Sequence, residues 1–294
     1  MNEQNVVQTM QAAVGAEDFF PHPRPLHAAI VSDLGLVCDR NQDAGLVFQF
    51  IKTQGTEPPL PISLLILADG LGGHSHGEEA SALAVAVAAD LVMRRMCLPL
   101  LIEGQSAAAQ TPINEILEMS VRQAHEAVVH RLPEGRTTLT MVLVLGAGVY
   151  VAHVGDTRAY LGRARAAGVQ GQLRLLTRDH SMAARLLEMG QGTAEGMAGQ
   201  RRVLYKAIGQ GPDVEPDLRY SELTPGDYLL LCCDGLWGQV ADDEMAHIIA
   251  SAAGPEEACR QLVARAKELG GDDNITAIVA TTGLTHGQVS RAGV

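Results

Sequence analysis

Five aspartates, Asp43, Asp69, Asp156, Asp234 and Asp273, share a local pattern. Each lies at or near the end of an apolar run, and most have glycine or asparagine beside them. Asp69 ends Leu64-Leu65-Ile66-Leu67-Ala68-Asp69-Gly70, and Asp234 ends Leu229-Leu230-Leu231-Cys232-Cys233-Asp234-Gly235. Asp156 follows Tyr150-Val151-Ala152-His153-Val154-Gly155, Asp273 precedes Asn274 and Ile275-Thr276-Ala277-Ile278-Val279, and Asp43 closes Asn41-Gln42-Asp43. Such runs read as buried strands, so each carboxylate is delivered to a strand end, where a rigid scaffold can aim it. Carboxylates that converge on one point repel each other unless a cation sits among them. A set of oxygen ligands favours Mg²⁺ or Mn²⁺. Glycine after Asp69 lets the backbone turn sharply and offer its carbonyl to an ion that Asp69 holds. A single Asp-Gly is also an ordinary strand-to-turn signal, and spacing alone leaves both readings open.

The elements that must position these groups follow from periodicity. Strands are expected near Leu26, near Leu46 and over 62–68, the last leading into the glycine-rich stretch Asp69 to Glu79. Ala80, Leu83, Ala84, Val87 and Leu91 fall at helical spacing, and Glu78 and Glu79 suit that helix's positive end. A second helix begins at Thr111-Pro112 with the stripe Ile113, Ile116, Leu117, Val121, Ala124, Val128. The period then becomes that of strands. Residues 138–145 and 149–154 form a hairpin around Gly146-Ala147-Gly148, and 157–162 pairs with 172–177. A short helix over 181–189, a glycine-rich flap over about 181–215, a strand at 227–233, helices at 241–252 and 255–269, and a strand at 275–281 complete the reading. Hairpins and helix pairs in this order predict an α+β fold, a four-layer α-β-β-α sandwich of two antiparallel sheets flanked by helices. The expected layout is an N-terminal tail over 1–25, one domain over 26–283 and a C-terminal tail over 284–294.

Composition excludes several classes. With 47% hydrophobic but only 3% aromatic residues, the core is aliphatic. A net charge of −12, from 22 Lys and Arg against 34 Asp and Glu, argues against nucleic acid or an anionic membrane as partner. The most apolar stretch, 81–102, carries Asp90, Arg94, Arg95 and Pro99, so no membrane insertion is expected. The first residues lack a signal-peptide pattern. Five cysteines at 38, 97, 232, 233 and 259 show no CxxC spacing. A reducing cytoplasm is expected, with Cys232 and Cys233 as small buried strand residues.

The stretch Leu67-Ala68-Asp69-Gly70-Leu71-Gly72-Gly73-His74-Ser75-His76-Gly77-Glu78 resembles the signature of the metal-dependent type 2C serine/threonine protein phosphatases in their bacterial form. So do Asn41-Gln42-Asp43, Thr137 to Thr140, Val154 to Tyr160, Leu176 to Ser181, Leu231 to Leu236 and Asp273 to Thr276, in the family's order over roughly 26–283. The resemblance implies that Asp69 bridges two divalent cations, Mn²⁺ or Mg²⁺, and that Gly70 gives its carbonyl to one. Asp234 and Asp273 would complete the other, Asp43 would hold the second through water, and Asp156 with Asp234 would bind a third, weaker ion. Asn274 would orient groups around Asp273, and His74 would protonate the leaving oxygen or order its loop. The implied activity is hydrolysis of phosphoserine and phosphothreonine in protein substrates by metal-activated water, opposing a cognate bacterial Ser/Thr kinase.

One position departs from the family. The phosphate-gripping arginine expected five residues before Asp43 is replaced by Cys38. Strand alternation would put residues 38 and 40 on one face, so Arg40 is the expected substitute, with Arg136 or Arg201 as alternatives. The altered position leaves room for a weakly active or inactive relative that binds phosphoproteins, and a small-molecule phosphomonoesterase is a third reading. His74 and His76 could as a pair bind zinc. His153 reads as a packed core residue, and His180 as a local hydrogen-bonding group in its turn.

Overall fold

The computed structural model describes residues 25–71, 76–102, 111–163, 172–191 and 203–282. His74, Arg201, Arg202, the C-terminal tail and all but one residue of the N-terminal tail lie outside them. The strands are β1 (His27–Asp33), β2 (Asp43–Lys52), β3 (Leu60–Asp69), β4 (Leu139–Leu145), β5 (Gly148–Val154), β6 (Arg158–Arg163), β7 (Gln172–Leu175), β8 (Asp217–Glu222), β9 (Asp227–Cys232) and β10 (Ile275–Thr281). Helix α1 (Gly77–Val92) runs through a π-helical turn (Met93–Cys97) into α2 (Leu98–Ile102). Then come α3 (Ile113–Arg131), α4 (Met182–Glu188), α5 (Asp234–Trp237), α6 (Asp242–Ser251) and α7 (Pro255–Glu268).

Two five-stranded sheets form, in the orders β1-β10-β9-β6-β7 and β2-β3-β4-β5-β8. Their pairings are antiparallel. Side chains alternate across a strand, and here both faces are apolar. In β3, Leu64, Ile66 and Ala68 join the helices α1 and α3 in one apolar layer. Leu65 and Leu67 turn the other way and meet Ala159, Leu229, Leu231 and Ile278 of the opposite sheet. That sheet's outer face, with Tyr160, Leu230, Ala277 and Val279, packs on α6 and α7. Three apolar layers thus separate four layers of secondary structure, as expected. No described helix is long and apolar enough to cross a membrane.

Three local readings need correction. The buried face of α1 centres on Ala80, Ser81, Ala84, Val85, Ala88 and Val92, while Leu83, Val87 and Leu91 are only partly buried on its flank. Small residues let the helix sit close to the sheet, and the larger ones fill the edge. Strand β8, Asp-Leu-Arg-Tyr-Ser-Glu, has no apolar run because it is an edge strand with one neighbour, β5. Residues 34–42 form turns rather than a continued strand, so alternation does not relate Cys38 to Arg40. The β4–β5 hairpin is read correctly. Gly146, at φ 60°, takes the first place of a two-residue turn, where positive φ matches the strand twist.

Leu65 is fully buried between the sheets. Leu65→Ala is expected to cost about 2–5 kcal/mol, as for other large-to-small core changes, read as a lowered urea midpoint. A loss under about 1 kcal/mol would contradict its place in the inter-sheet layer.

Candidate metal centre

The register of β2 on β3 sets Asp43 directly opposite Asp69. Like charges so placed destabilise a sheet, so other groups must hold them. Asp69 is gripped through its backbone. Its N–H donates to Thr138 Oγ1 at 2.8 Å, and its carbonyl accepts from Thr138 N at 2.8 Å and Thr137 Oγ1 at 2.9 Å. Asp43 Oδ2 accepts from Thr276 Oγ1 of β10 at 2.6 Å, a bond that crosses from one sheet to the other. The second oxygen, Asp43 Oδ1, is buried with no hydrogen-bond partner. Carboxylate oxygens of Asp43 and Asp69 and the sulfur of Cys233 all lie within 4.8 Å of one another.

The other three aspartates arrive from neighbouring strand ends. Asp234 follows β9 and opens the short helix α5. Asp273 precedes β10, the neighbour of β9. Asp156 follows β5, and Trp237 Nε1 donates to its carbonyl at 3.0 Å. Close packing fixes the adjoining glycines. A Cβ on Gly70 would sit 2.3 Å from the Gly77 carbonyl oxygen, and one on Gly235 would sit 2.0 Å from that of Asn274. The Asn274 amide is used on both sides. Its Oδ1 accepts from Gln42 N at 2.8 Å, and its Nδ2 donates to the carbonyls of Leu34 and Arg40, both at 3.0 Å. It therefore pins the β1–β2 connection to the start of β10.

The electrostatics record the convergence. Asp69 is held well above the usual carboxylate range by burial, then by the fields of Asp43, Asp234, Asp156 and Asp273. Asp43 is raised to about 7, first by burial and also by Asp234 and Asp273, against the lowering effect of the bond from Thr276 and of the Cys233 thiol nearby. Burial raises Asp156 as well, helped by Asp234 and Asp179 and opposed by Arg158. Asp69 in the field of the other four carboxylates, together with the buried Asp43 oxygen that lacks a donor, marks a cluster short of positive charge. An oxygen-rich set of this kind fits Mg²⁺ or Mn²⁺.

The remaining predicted residues are placed less simply. Arg40 is exposed over 80% of its side chain, and its Nη1 lies 3.9 Å from Glu78 Oε2. Cys38 Sγ lies 3.8 Å from Asp273 Oδ1, so position 38 abuts the carboxylate cluster. Arg136 spends its Nη1 on the carbonyls of Gly135 and Gly209. His76, at φ 72°, turns its Nδ1 to Glu79. Sequence reasoning places Cys233 in the packing alone, whereas its sulfur lies within the cluster. Its position beside Asp234 was the available signal. The threonine donors Thr138 and Thr276 were visible only as parts of longer stretches.

Comparison with known proteins gives a consistent result. The family described as Protein phosphatase 2C matches residues 40–269. The serine/threonine phosphatase stp of Listeria monocytogenes is 32% identical over 263 residues, 89% of this chain and 98% of that protein. The crystal structure of the Mycobacterium tuberculosis serine/threonine phosphatase PstP/Ppp superposes with a TM-score of 0.68 at 31% identity, over 87% of this chain and 98% of that one. A PstP catalytic domain in complex with 2 manganese ions superposes with a TM-score of 0.65 at 30% identity, over 87% of this chain and 97% of that one. With a carboxylate cluster at one end of a two-sheet sandwich and relatives matched over almost their full length, this chain belongs to the protein phosphatase 2C family.

Proposed function

We propose that this chain hydrolyses phosphoserine and phosphothreonine in protein substrates, using two divalent cations held by Asp43, Asp69, Gly70, Asp234 and Asp273. The observation that carries this is the pairing of Asp43 with Asp69 across β2 and β3, with Asp43 Oδ1 buried and without a donor. The Mn²⁺ complex of a relative supports Mn²⁺ as one of the ions, with Mg²⁺ as the alternative. Asp156 and Asp234 would hold a third, weaker ion. We place the enzyme in the cytoplasm, opposing a cognate Ser/Thr kinase.

Bound cations would supply an acidified water as nucleophile and stabilise charge on the phosphoryl oxygens. The chain's own residues set the geometry. Thr137 and Thr138 fix the Asp69 backbone from behind, leaving its carboxylate to face the other aspartates. Thr276 occupies one oxygen of Asp43 and so aims the other. Asn274 holds the Leu34–Gln42 connection beside Asp273. No protein nucleophile is needed. The Cys233 thiol is raised well above its usual range by burial and by Asp43, Asp69 and Asp234, so it carries no reactive thiolate. Arg40, exposed beside Glu78, would grip the substrate phosphate, and His74 would protonate the leaving oxygen or order its loop.

Phosphate release from phosphoserine and phosphothreonine peptides is expected to require Mn²⁺ or Mg²⁺ and to stop with a chelator. Asp234→Asn should lose at least 100-fold in kcat, about 2.7 kcal/mol; activity close to the parent's would remove Asp234 from the metal set. Arg40→Ala is expected to raise the phosphopeptide KM by roughly 10- to 150-fold, about 1.5–3 kcal/mol for a charged hydrogen bond. An unchanged KM would take Arg40 out of phosphate binding.

Metal-free protein offers a separate test. The folded pKa of Asp43, about 7, lies above its ordinary 3.8. Its contribution to stability is therefore fully present below pH 3.8 and is lost as pH rises through about 7. Asp43→Asn is expected to flatten that part of the profile and raise the metal-free Tm at pH 7.5 by several degrees, about 2 kcal/mol. It should also reduce the Tm gain on adding Mn²⁺. A metal-free Tm equal to or below the parent's would contradict the electrostatic reading of the cluster.

A further inference from the structure

His180 is only 1% exposed, and its bonds among the described residues go outside its own turn. It takes both polar groups of Gly155, 25 residues away. Its backbone N–H donates to the Gly155 carbonyl at 2.7 Å, and its Nδ1 accepts from the Gly155 N–H at 3.0 Å. Gly155 has φ +112°, and a Cβ there would sit 2.5 Å from the Thr138 side chain. The turn that presents Asp156 is thus wedged between Thr138, which grips Asp69, and the His180 ring.

An Nδ1 that accepts leaves the proton of the neutral ring on Nε2, which is buried and lies 3.2 Å from Asp217 Oδ1 without the geometry of a hydrogen bond. Asp217 opens the edge strand β8 and also receives Lys206 Nζ at 3.0 Å. His153 stacks on His180 with ring centroids 4.9 Å apart, and spends its own nitrogens on Thr140 and the Arg178 carbonyl. Burial, together with His153 and Lys206, lowers His180 to about 3, so the ring stays neutral at working pH and keeps one tautomer. Tyr205 N donates to the His180 carbonyl, while Ile208 exchanges two backbone bonds with Thr137. The segment from Tyr205 to Ile208 therefore joins the residue that holds Gly155 to one that holds Asp69.

We propose that His180 is a positioning residue for Asp156, fixing the Gly155-Asp156 turn through its two bonds to Gly155, with Asp217 close beside its ring at the edge of the second sheet. The proposal rests on Asp156 serving the third, weaker cation. His180 touches neither ion nor substrate. It sets where the Asp156 carboxylate sits, and so how tightly that ion is held.

The test uses the full chain with His180→Leu, His180→Asn and Asp156→Asn. Asparagine keeps an acceptor near the place of Nδ1. Mn²⁺ binding is measured by titration calorimetry beside phosphopeptide turnover against Mn²⁺ and a thermal melt. His180→Leu is expected to weaken the weakest Mn²⁺ site at least fivefold and raise the Mn²⁺ concentration for half-maximal turnover, with excess Mn²⁺ restoring the rate. His180→Asn should return both to within twofold of the parent. The proposal is overturned if His180→Leu lowers only Tm, or if His180→Asn matches it in Mn²⁺ binding. When Asp156→Asn weakens Mn²⁺ and His180→Leu does not, positioning alone fails. When Asp156→Asn leaves Mn²⁺ binding unchanged, the third-cation reading falls and the proposal with it. Should His180→Leu not fold, Asp217→Asn carries the test, with at least twofold weaker Mn²⁺ expected and no change overturning the idea.

Discussion

Repulsion among five carboxylates is the constraint around which this protein is organised. Asp69 lies in the field of the other four. Left to themselves such groups would spread apart or take up protons. Hydrogen bonds to neighbouring elements hold three of them in place. Thr138 takes the backbone of Asp69, Thr276 takes one oxygen of Asp43, and Trp237 takes the carbonyl of Asp156. Asp43 Oδ1 is left buried without a donor, an oxygen of the kind a hard cation takes.

Both sheets contribute to that surface. Asp43, Asp69 and Asp156 come from ends of β2, β3 and β5, whereas Asp234 and Asp273 flank β9 and β10. The spacing across the site is therefore the spacing of the sandwich, set by the aliphatic layer of Leu65, Leu67, Leu229 and Leu231. The bond from Thr276 to Asp43 ties the two halves at the site itself. A loosened inter-sheet core would reach the chemistry directly, with no change in any of the five aspartates.

Much of this was legible in the sequence because the signals were strong and local. The run from Leu64 to Ala68 could only be a buried strand, and the aspartate and glycine after it could only be its end. The failures share a cause, which is that long-range contacts decided the outcome. Strand β8 is held by its one neighbour and carries no pattern of its own. Cys38 and Arg40 follow turns fixed by Asn274, some 234 residues away, so strand alternation misplaced them. His180 looked like a turn residue because its partners, Gly155 and Asp217, lie far off in sequence. Cys233 was read from its neighbours in the strand, while its sulfur answers to Asp43 and Asp69 across the fold.

The last strand has a consequence in time. β10 lies between β1 and β9, and it brings Asp273, Asn274 and Thr276 with it. Until residues near 281 have left the ribosome, the first strand has no partner in its sheet and the aspartates lack their final members. A chain under synthesis therefore completes its first sheet and its carboxylate cluster together, when β10 enters between β1 and β9.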